Sequence, residues 1–252
     1  MALTITDAGN GAVADAGAAT IATGATVTGA IGDMLVAFVA ADNVGTSGAP
    51  VSAAFSDGAG NTWTTQATIN RTAGVIRDGA TLFMATAAIT AALASGVVTC
   101  TFTGGNPNSR TIEVYRVQPG ANEVVQLVAC DTTGLTGSAT SHAAASVSIT
   151  NGDTIFGAAA IETNAAVTGD SDTTNGSWSA IISRLASAGG GDAASQTCSS
   201  QFKTVSATGN QDWACTTGAA KDSARSYLIL RPIPAPKGPP FAPDAMLPFL
   251  VR

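Results

Sequence analysis

The chain has 252 residues, of which 11% are charged and 45% are hydrophobic, and its formal net charge is -6. Soluble domains typically carry about 25% charged residues, so this composition indicates a weakly charged surface that suits an assembled protein. The excess of acidic groups repels phosphate backbones, and we expect no nucleic-acid partner. We also expect no membrane partner and synthesis in a host cytoplasm, because the sequence has no apolar run of signal-peptide or bilayer-spanning length.

Segments rich in Val, Ile, Thr and aromatic residues alternate with Gly, Asn, Asp and Ser clusters, which is typical of an all-β sandwich. The strands predicted in the first half are 20–27, 34–41, 51–56, 62–70, 81–87, 96–102 and 111–117. Those predicted in the second half are 124–129, 146–149, 154–162, 177–185, 195–205, 212–217 and 226–231. The only helix that the sequence predicts is a short turn within 87–94.

Two of these strands carry a clear burial pattern. Residues 34–39 are apolar throughout, which predicts a central strand buried on both faces. In the strand 111–117, Glu113 and Arg116 interrupt the apolar residues, which predicts one face in water. We therefore expect Glu113 to be exposed.

The two halves of the chain repeat one another. Gly32-Asp33 precedes a buried strand in the first half, and Gly152-Asp153 does so in the second. The segments 57–63 and 172–178 both run from Asp to Trp and contain an Asn. This repetition predicts a fold built from two matching sets of strands. We expect one sandwich over residues 1–232, made of pseudo-repeats at about 20–119 and 120–232, because neither half has enough long apolar strands for a core of its own.

Residues 233–252 form a different kind of segment. Seven of the ten prolines fall between Pro232 and Pro248, which predicts an extended polyproline arm and no further strand. About 20 such residues at roughly 3.1 Å each span on the order of 60 Å, enough to reach a neighbouring molecule. The arm also carries the apolar residues that we expect to bind a partner: Phe241, Met246, Leu247, Phe249, Leu250 and Val251. The alternative is that this end folds back onto its own sandwich.

The sequence offers little to build a catalytic centre. His142 is the only histidine, and it lies in a stretch of small residues without a nucleophile-elbow motif, so we expect an exposed loop histidine. Glu113, Glu123 and Glu162 are the only glutamates, and nothing pairs two of them for sugar hydrolysis. We expect no catalytic residues and no cofactor.

Two further features have an ordinary and a functional interpretation. The segment 170–176 alternates oxygen-bearing side chains, which suits calcium, but its match to a calcium loop is partial and an Asx-rich turn is the expectation. Trp63, Trp178 and Trp213 could form sugar-binding platforms, although the repeat favours a role as core plugs. We expect no metal site.

None of the four cysteines belongs to a C-x-x-C pair, so each is expected to be a small buried apolar residue. One alternative stays open. If a hairpin turned near residues 206–207, Cys198 and Cys215 would lie opposite each other and could form a disulfide, although cytoplasmic synthesis argues against it.

Several segments resemble a broad group of bacterial and phage-encoded jelly-roll-like β-sandwich proteins. These are Gly-Asp-Met-Leu-Val-Ala-Phe-Val-Ala at 32–40, Gly-Asn-Thr-Trp at 60–63, the strands around residues 99–104 and 113–117, and Leu-Ile-Leu-Arg-Pro at 228–232. The resemblance covers about residues 20–232. It implies a single sandwich and a virion context, and it supplies no catalytic residues.

The sequence thus predicts an antiparallel, jelly-roll-like β-sandwich with an extended Pro-rich C-terminal arm. The expected function is a non-enzymatic virion structural protein, namely a capsid decoration or cement protein of a phage or phage-like particle. Its expected partners are other virion proteins, either the major capsid protein or a tail protein, together with copies of itself. The alternatives are a tail or fibre component and a carbohydrate-binding adhesion module.

Overall fold

A computed structural model of the protein describes residues 2–14, 16–42, 52–72, 79–187 and 195–236. Its strands are β1 (Thr4–Val13), β2 (Thr20–Ala22), β3 (Val27–Gly29), β4 (Met34–Asp42), β5 (Ser52–Ser56), β6 (Trp63–Thr72), β7 (Gly79–Ala88), β8 (Leu93–Gly96), β9 (Thr99–Thr103), β10 (Arg110–Gln118), β11 (Glu123–Cys130), β12 (Leu135–Ala143), β13 (Val147–Ile149), β14 (Thr154–Ile161), β15 (Val167–Thr168), β16 (Ile182–Ser187), β17 (Ser195–Thr204), β18 (Gly209–Gln211) and β19 (Ala214–Pro234). The described ranges contain no helix, and hence none that could cross a membrane.

All pairings between these strands are antiparallel, which confirms the predicted all-β sandwich. The jelly-roll part of the expectation stays a prediction. The helical turn predicted within 87–94 is wrong, because β7 continues to Ala88 and β8 begins at Leu93.

The first half is built on a five-stranded sheet with the order β1-β10-β4-β7-β6. Two small sheets, β2-β9-β5 and β3-β8, accompany it. Side chains from these small sheets, among them Ile21, Leu93 and Cys100, pack against one face of the large sheet. The large sheet is therefore covered on that face by strands of its own half.

The second half repeats this order as β11-β19-β14-β17-β16. Strands β12 and β15 pair with the first half of β19, as β2 and β5 pair with β9. Strand β13 pairs with β18, as β3 pairs with β8. The two halves differ in one respect. β19 is a single strand of 21 residues whose first part corresponds to β9 and whose last part corresponds to β10. The sequence predicts two separate strands here, 212–217 and 226–231, and the structure joins them into one.

Three apolar clusters fill the molecule. The largest lies between the two large sheets and takes residues from both halves, such as Phe38, Tyr115 and Phe156. A second cluster lies entirely within the first half and a third within the second. The expectation that neither half has a core of its own is therefore wrong.

Strand β4 shows why each large sheet can be buried on both faces. Its alternate residues Val36 and Phe38 point into the shared cluster, while Ala37 and Val39 point into the cluster of the first half. All nine residues of β4 are buried. A strand that is buried on both faces can be apolar at every position, and this is why the apolar run predicts β4 correctly.

A short turn sets the entry into β4. Gly32 adopts φ of 98°, a left-handed conformation that glycine tolerates, and its N–H donates to the Ile89 carbonyl at 3.0 Å. The Asp33 carboxylate accepts from the Ala30 N–H at 2.8 Å and from Arg116 Nε at 2.6 Å. The turn is thereby held to β10 and to the end of β7.

The same turn recurs before β14. Gly152 has φ of 89°, and its N–H donates to the Val205 carbonyl at 2.8 Å. Asp153 accepts from the Thr150 N–H at 3.1 Å and from Arg231 Nε at 2.6 Å. The internal repeat therefore extends from strand order down to individual hydrogen bonds.

Strand β19 also changes where the C-terminal arm begins. Pro232, Ile233 and Pro234 pair with Val125, Val124 and Glu123 of β11, so the predicted arm at 233–252 is wrong in its first two residues, which belong to the sheet. Proline is tolerated at an edge or strand end, where a ladder N–H is dispensable. The predicted partner-binding residues Phe241, Met246, Leu247, Phe249, Leu250 and Val251 lie outside the described residues.

Candidate functional site

An apolar groove lies where the two halves meet, at the end of the molecule at which β4 and β11 begin. It has a volume of about 330 Å³. Its apolar lining comprises Ile31, Met34, Ala88, Ile89, Val124 and Val125, and we call it the Ile31 groove. Ile31 is 70% exposed, whereas Ile89 beneath it is buried. An isoleucine this exposed beside apolar neighbours marks a surface that can bind an apolar partner.

The polar groups at the Ile31 groove are engaged within the protein. Asp33 lines the groove, but its carboxylate is held by Arg116 and by the turn at Ala30. The nearby Thr90 N–H donates to Asn61 Oδ1 at 2.9 Å. The groove therefore offers an apolar contact surface, with its one carboxylate already neutralised by an arginine.

The described chain ends beside this groove. Beyond β19, the Ala235 N–H donates to the Asn122 carbonyl at 2.8 Å, which holds the exit of the chain next to the start of β11. Val124 and Val125, on that same strand, form one wall of the groove. Sequence reasoning missed this site. A signal was available, because Ile31 stands within the Ala30-Ile31-Gly32-Asp33 turn, where a polar residue is usual.

Glu113 is buried, so its predicted exposure is wrong. It lies on β10 and accepts from Arg184 Nε of β16 in the other half, and Arg184 Nη2 also donates to Asp7 at 2.6 Å. Burial raises the pKa of Glu113 to about 7, and the bond from Arg184 offsets this in part. The alternating pattern failed because the second half covers the face that was expected to be wet. The bonds from Arg184 to Glu113 and Asp7 therefore join the two halves.

His142 is also buried, so the predicted exposed loop histidine is wrong. It lies on β12, where Nδ1 is 2.8 Å from Ser223 Oγ and Nε2 is 3.0 Å from Thr217 Oγ1. Burial, with a smaller effect from Arg225, lowers its pKa to about 4. Both ring nitrogens face hydroxyls, and Ser223 is itself buried, so this pair has no access to a substrate.

The calcium-like segment 170–176 forms Asx turns. Asp170 Oδ1 accepts from the Asp172 N–H at 2.8 Å, and Asp172 Oδ1 accepts from the Thr174 N–H at 2.9 Å. The remaining oxygens accept from the Ala214 N–H and from Lys203 Nζ. Across the described ranges, no three His, Cys, Asp or Glu side chains are grouped so that they could hold a metal ion.

Two of the three tryptophans are buried in the core of the second half, and the third is half-buried against the cluster of the first half. Trp213 is fully buried, and its indole N–H donates to Gln201 Oε1 at 3.0 Å. Trp178 belongs to the cluster of the second half. Trp63 is half-buried, stacks on Phe55 and donates to Asp57 at 2.9 Å. These contacts leave the rings poorly placed as platforms for a sugar.

All four cysteines are free thiols. Cys198 lies on β17 and points into the shared cluster, whereas Cys215 lies on β19 and points into the cluster of the second half. Strand β14 separates β17 from β19, so the hairpin that would have brought these two cysteines together does not form. Burial raises the pKa of Cys130 to about 11 and that of Cys215 to about 12, which keeps both protonated and unreactive.

No protein-family model, no curated protein and no solved structure matches this chain.

Proposed function

We propose that this protein is a non-enzymatic structural protein of a phage or phage-like particle, and specifically a capsid decoration protein. The observation that carries the proposal is the Ile31 groove, an exposed apolar surface beside the point where the chain passes into its Pro-rich, apolar C-terminal segment. A protein that offers both a receptor surface and an apolar arm is suited to joining neighbouring subunits.

The state of the ionisable groups supports a non-enzymatic role. Among the buried groups of the described residues that have the chemistry of an acid or a base, Glu113, His142 and Lys203 are each bonded to a partner within the fold. Catalytic groups need access to a substrate and a reacting atom within hydrogen-bond reach. Glu113 is bonded across the two halves, and His142 and Lys203 are bonded within the second half.

The low charge of the chain supports assembly in the same way. With 11% charged residues, the outer surface of the molecule can approach a neighbour without a large desolvation penalty for charges. Interfaces are typically depleted in charged residues at their centre. The expected partners are the major capsid or tail protein and further copies of this chain.

The test is incorporation of a truncated protein into particles. Truncation after Pro236 leaves β19 and its pairing with β11 intact, so the sandwich should fold. We expect this variant to be incorporated at a much lower level than the full chain, measured by protein content of purified particles. A matched control carries Val97→Asp, at an exposed apolar residue outside the groove.

Cryo-electron microscopy of the same particles would show the location of the protein. Density on the head supports decoration, whereas density confined to the tail would replace it with the tail alternative. Absence of the full-length protein from purified particles would overturn the proposed function.

A further inference from the structure

We infer that the Ile31 groove binds the apolar segment 246–251 of a second copy of this chain. The inference rests on the proposed function, because it names the partner of the arm. The segment lies outside the described residues, so the argument depends on the groove, on the place where the described chain ends and on the sequence that follows.

The chemistry of the two surfaces matches. The segment reads Met-Leu-Pro-Phe-Leu-Val and contains no charged residue. The groove is lined by Ile31, Met34, Ile89, Val124 and Val125, and its one carboxylate is paired with Arg116. Apolar side chains gain free energy by leaving water for such a surface, and an unpaired charge would oppose it.

The volume of the groove suits a few side chains. A cavity of about 330 Å³ lies at the lower end of sites that bind small ligands, so it suits a few apolar side chains of the segment rather than the whole of it. The wall formed by β11 belongs to an edge strand of its sheet, so it is open to an approaching chain.

The length of the intervening chain favours a second copy over the same molecule. Val124 pairs with Ile233, so Pro236 lies only about 10 Å beyond Val124 at roughly 3.3 Å per strand residue. The spacer 237–245 contains three prolines and is expected to be extended, at about 3.1 Å per residue or roughly 28 Å. A spacer extended in this way would place the segment beyond its own groove and within reach of a neighbouring molecule.

The polarity of the chain leads to the same conclusion. β19 runs past Val125 and then Val124 before it leaves the sheet, so the chain would have to reverse direction to return to them. Three prolines among the nine residues 237–245 disfavour this reversal. The groove of a neighbouring molecule can be reached without such a reversal. If each copy binds the arm of the next, several copies are linked.

The first experiment measures self-association of the full-length protein by analytical ultracentrifugation over a range of concentrations. We expect reversible association that weakens about tenfold or more in Ile31→Asp and in the double variant Leu247→Asp, Leu250→Asp. Val97→Asp, also at an exposed apolar residue, should associate like the unchanged protein. Ile31 is largely exposed, so its replacement should leave the fold intact, and circular dichroism checks this.

The second experiment separates a second copy from the same molecule. Ile31→Cys protein is mixed with Leu250→Cys protein under mild oxidation, and disulfide-linked dimers containing one chain of each kind are expected. Val97→Cys replaces Ile31→Cys as the control. A chain that carries both Ile31→Cys and Leu250→Cys is also oxidised at high dilution. If this chain forms an internal disulfide while the mixture of single variants forms no linked dimers, the inference is overturned.

A protein that stays monomeric at all concentrations would also overturn the inference. That result leaves the proposed function testable on its own, because loss of particle incorporation on truncation after Pro236 would then point to a different virion protein as the receptor of the arm. Normal incorporation of the truncated chain, with self-association intact, would instead contradict the role of the arm in the proposed function.

Discussion

Strands β7 and β17 occupy matching positions in the two halves but are made of very different residues. β7 is almost entirely apolar and buries Leu82, Phe83 and Met84. β17 is equally buried, yet most of its side chains are polar, including Gln201 and Lys203. The strand order is therefore the same in both halves although the buried side chains differ. A strand at this position can be stabilised either by apolar packing or by hydrogen bonds between buried polar side chains.

The polar strand is tolerated because its side chains have partners. Ser200 Oγ lies 2.7 Å from the Tyr115 hydroxyl of the first half. Gln201 donates to the Ser179 carbonyl and accepts from Trp213, and Lys203 donates to Asp172. Leaving a buried polar group without its partner costs about 1–3 kcal/mol. We therefore expect the second half to be more sensitive to the loss of single side chains.

The largest contrast is expected between Trp213 and Val98, which are buried side chains at matching positions just before β19 and β9. Trp213→Ala should lower the free energy of unfolding by about 3–5 kcal/mol, since it empties a large volume and removes a donor from Gln201. Val98→Ala should cost about 2 kcal/mol. Urea unfolding of both variants measures this, and equal losses would contradict the contrast.

The next contrast concerns pH. The pKa of Glu113 is raised from 4.5 to about 7 in the folded protein, mainly by burial. Between these values the folded state binds more protons than the unfolded state, so stability falls as pH rises through this window. The unchanged protein should lose up to about 3 kcal/mol of its free energy of unfolding as the pH rises from 4.5 to 7, and Glu113→Gln should not show this loss. Urea unfolding at several pH values measures the difference.

His142, in the second half, should act in the opposite direction. Its pKa is lowered from 6.5 to about 4, so the folded state binds fewer protons in this window and stability rises with pH. As the pH falls below 6.5, the free energy of unfolding of the unchanged protein should decrease by up to about 3 kcal/mol, and this decrease should be absent in His142→Asn. If both variants altered the pH dependence with the same sign, one of the two burial effects would be misassigned.

The smallest contrast should be between Asp33 and Asp153, where the two halves are most alike. Each accepts from a turn N–H and from an arginine. Asp33→Ala and Asp153→Ala should each cost about 2 kcal/mol, because each removes charge-assisted hydrogen bonds. The double variant should show the sum of the two losses, since distant sites are usually additive. Unequal losses in thermal or urea unfolding would break the equivalence of the turns.

The sequence predicted what depends on local pattern. The apolar run of β4, the glycine turns at Gly32 and Gly152, and the segment from Asp57 to Trp63 each correspond to features of the structure. These signals are local, since a turn requires a particular backbone conformation and a doubly buried strand requires apolar residues throughout.

Features that depend on distant parts of the chain could not be predicted. Glu113 and His142 were expected in water because polar residues in a strand or a small-residue stretch usually face solvent. Arg184 and Ser223, which satisfy them, lie far away in sequence. β1 was missed altogether, because Thr4–Val13 is rich in Gly and Ala and is a strand by virtue of its pairing with β10. The Ile31 groove likewise forms only when the halves meet.

Strand β19 has a mechanical consequence for any load applied through the arm. Residues 223–230 of this strand pair with β14, and residues 228–234 pair with β11. Tension pulling on Pro236 along this strand would act across hydrogen bonds that run perpendicular to it, so many would have to rupture together rather than unzip one by one. A protein anchored in this way would transmit strain into its central layers and resist being torn from its neighbours.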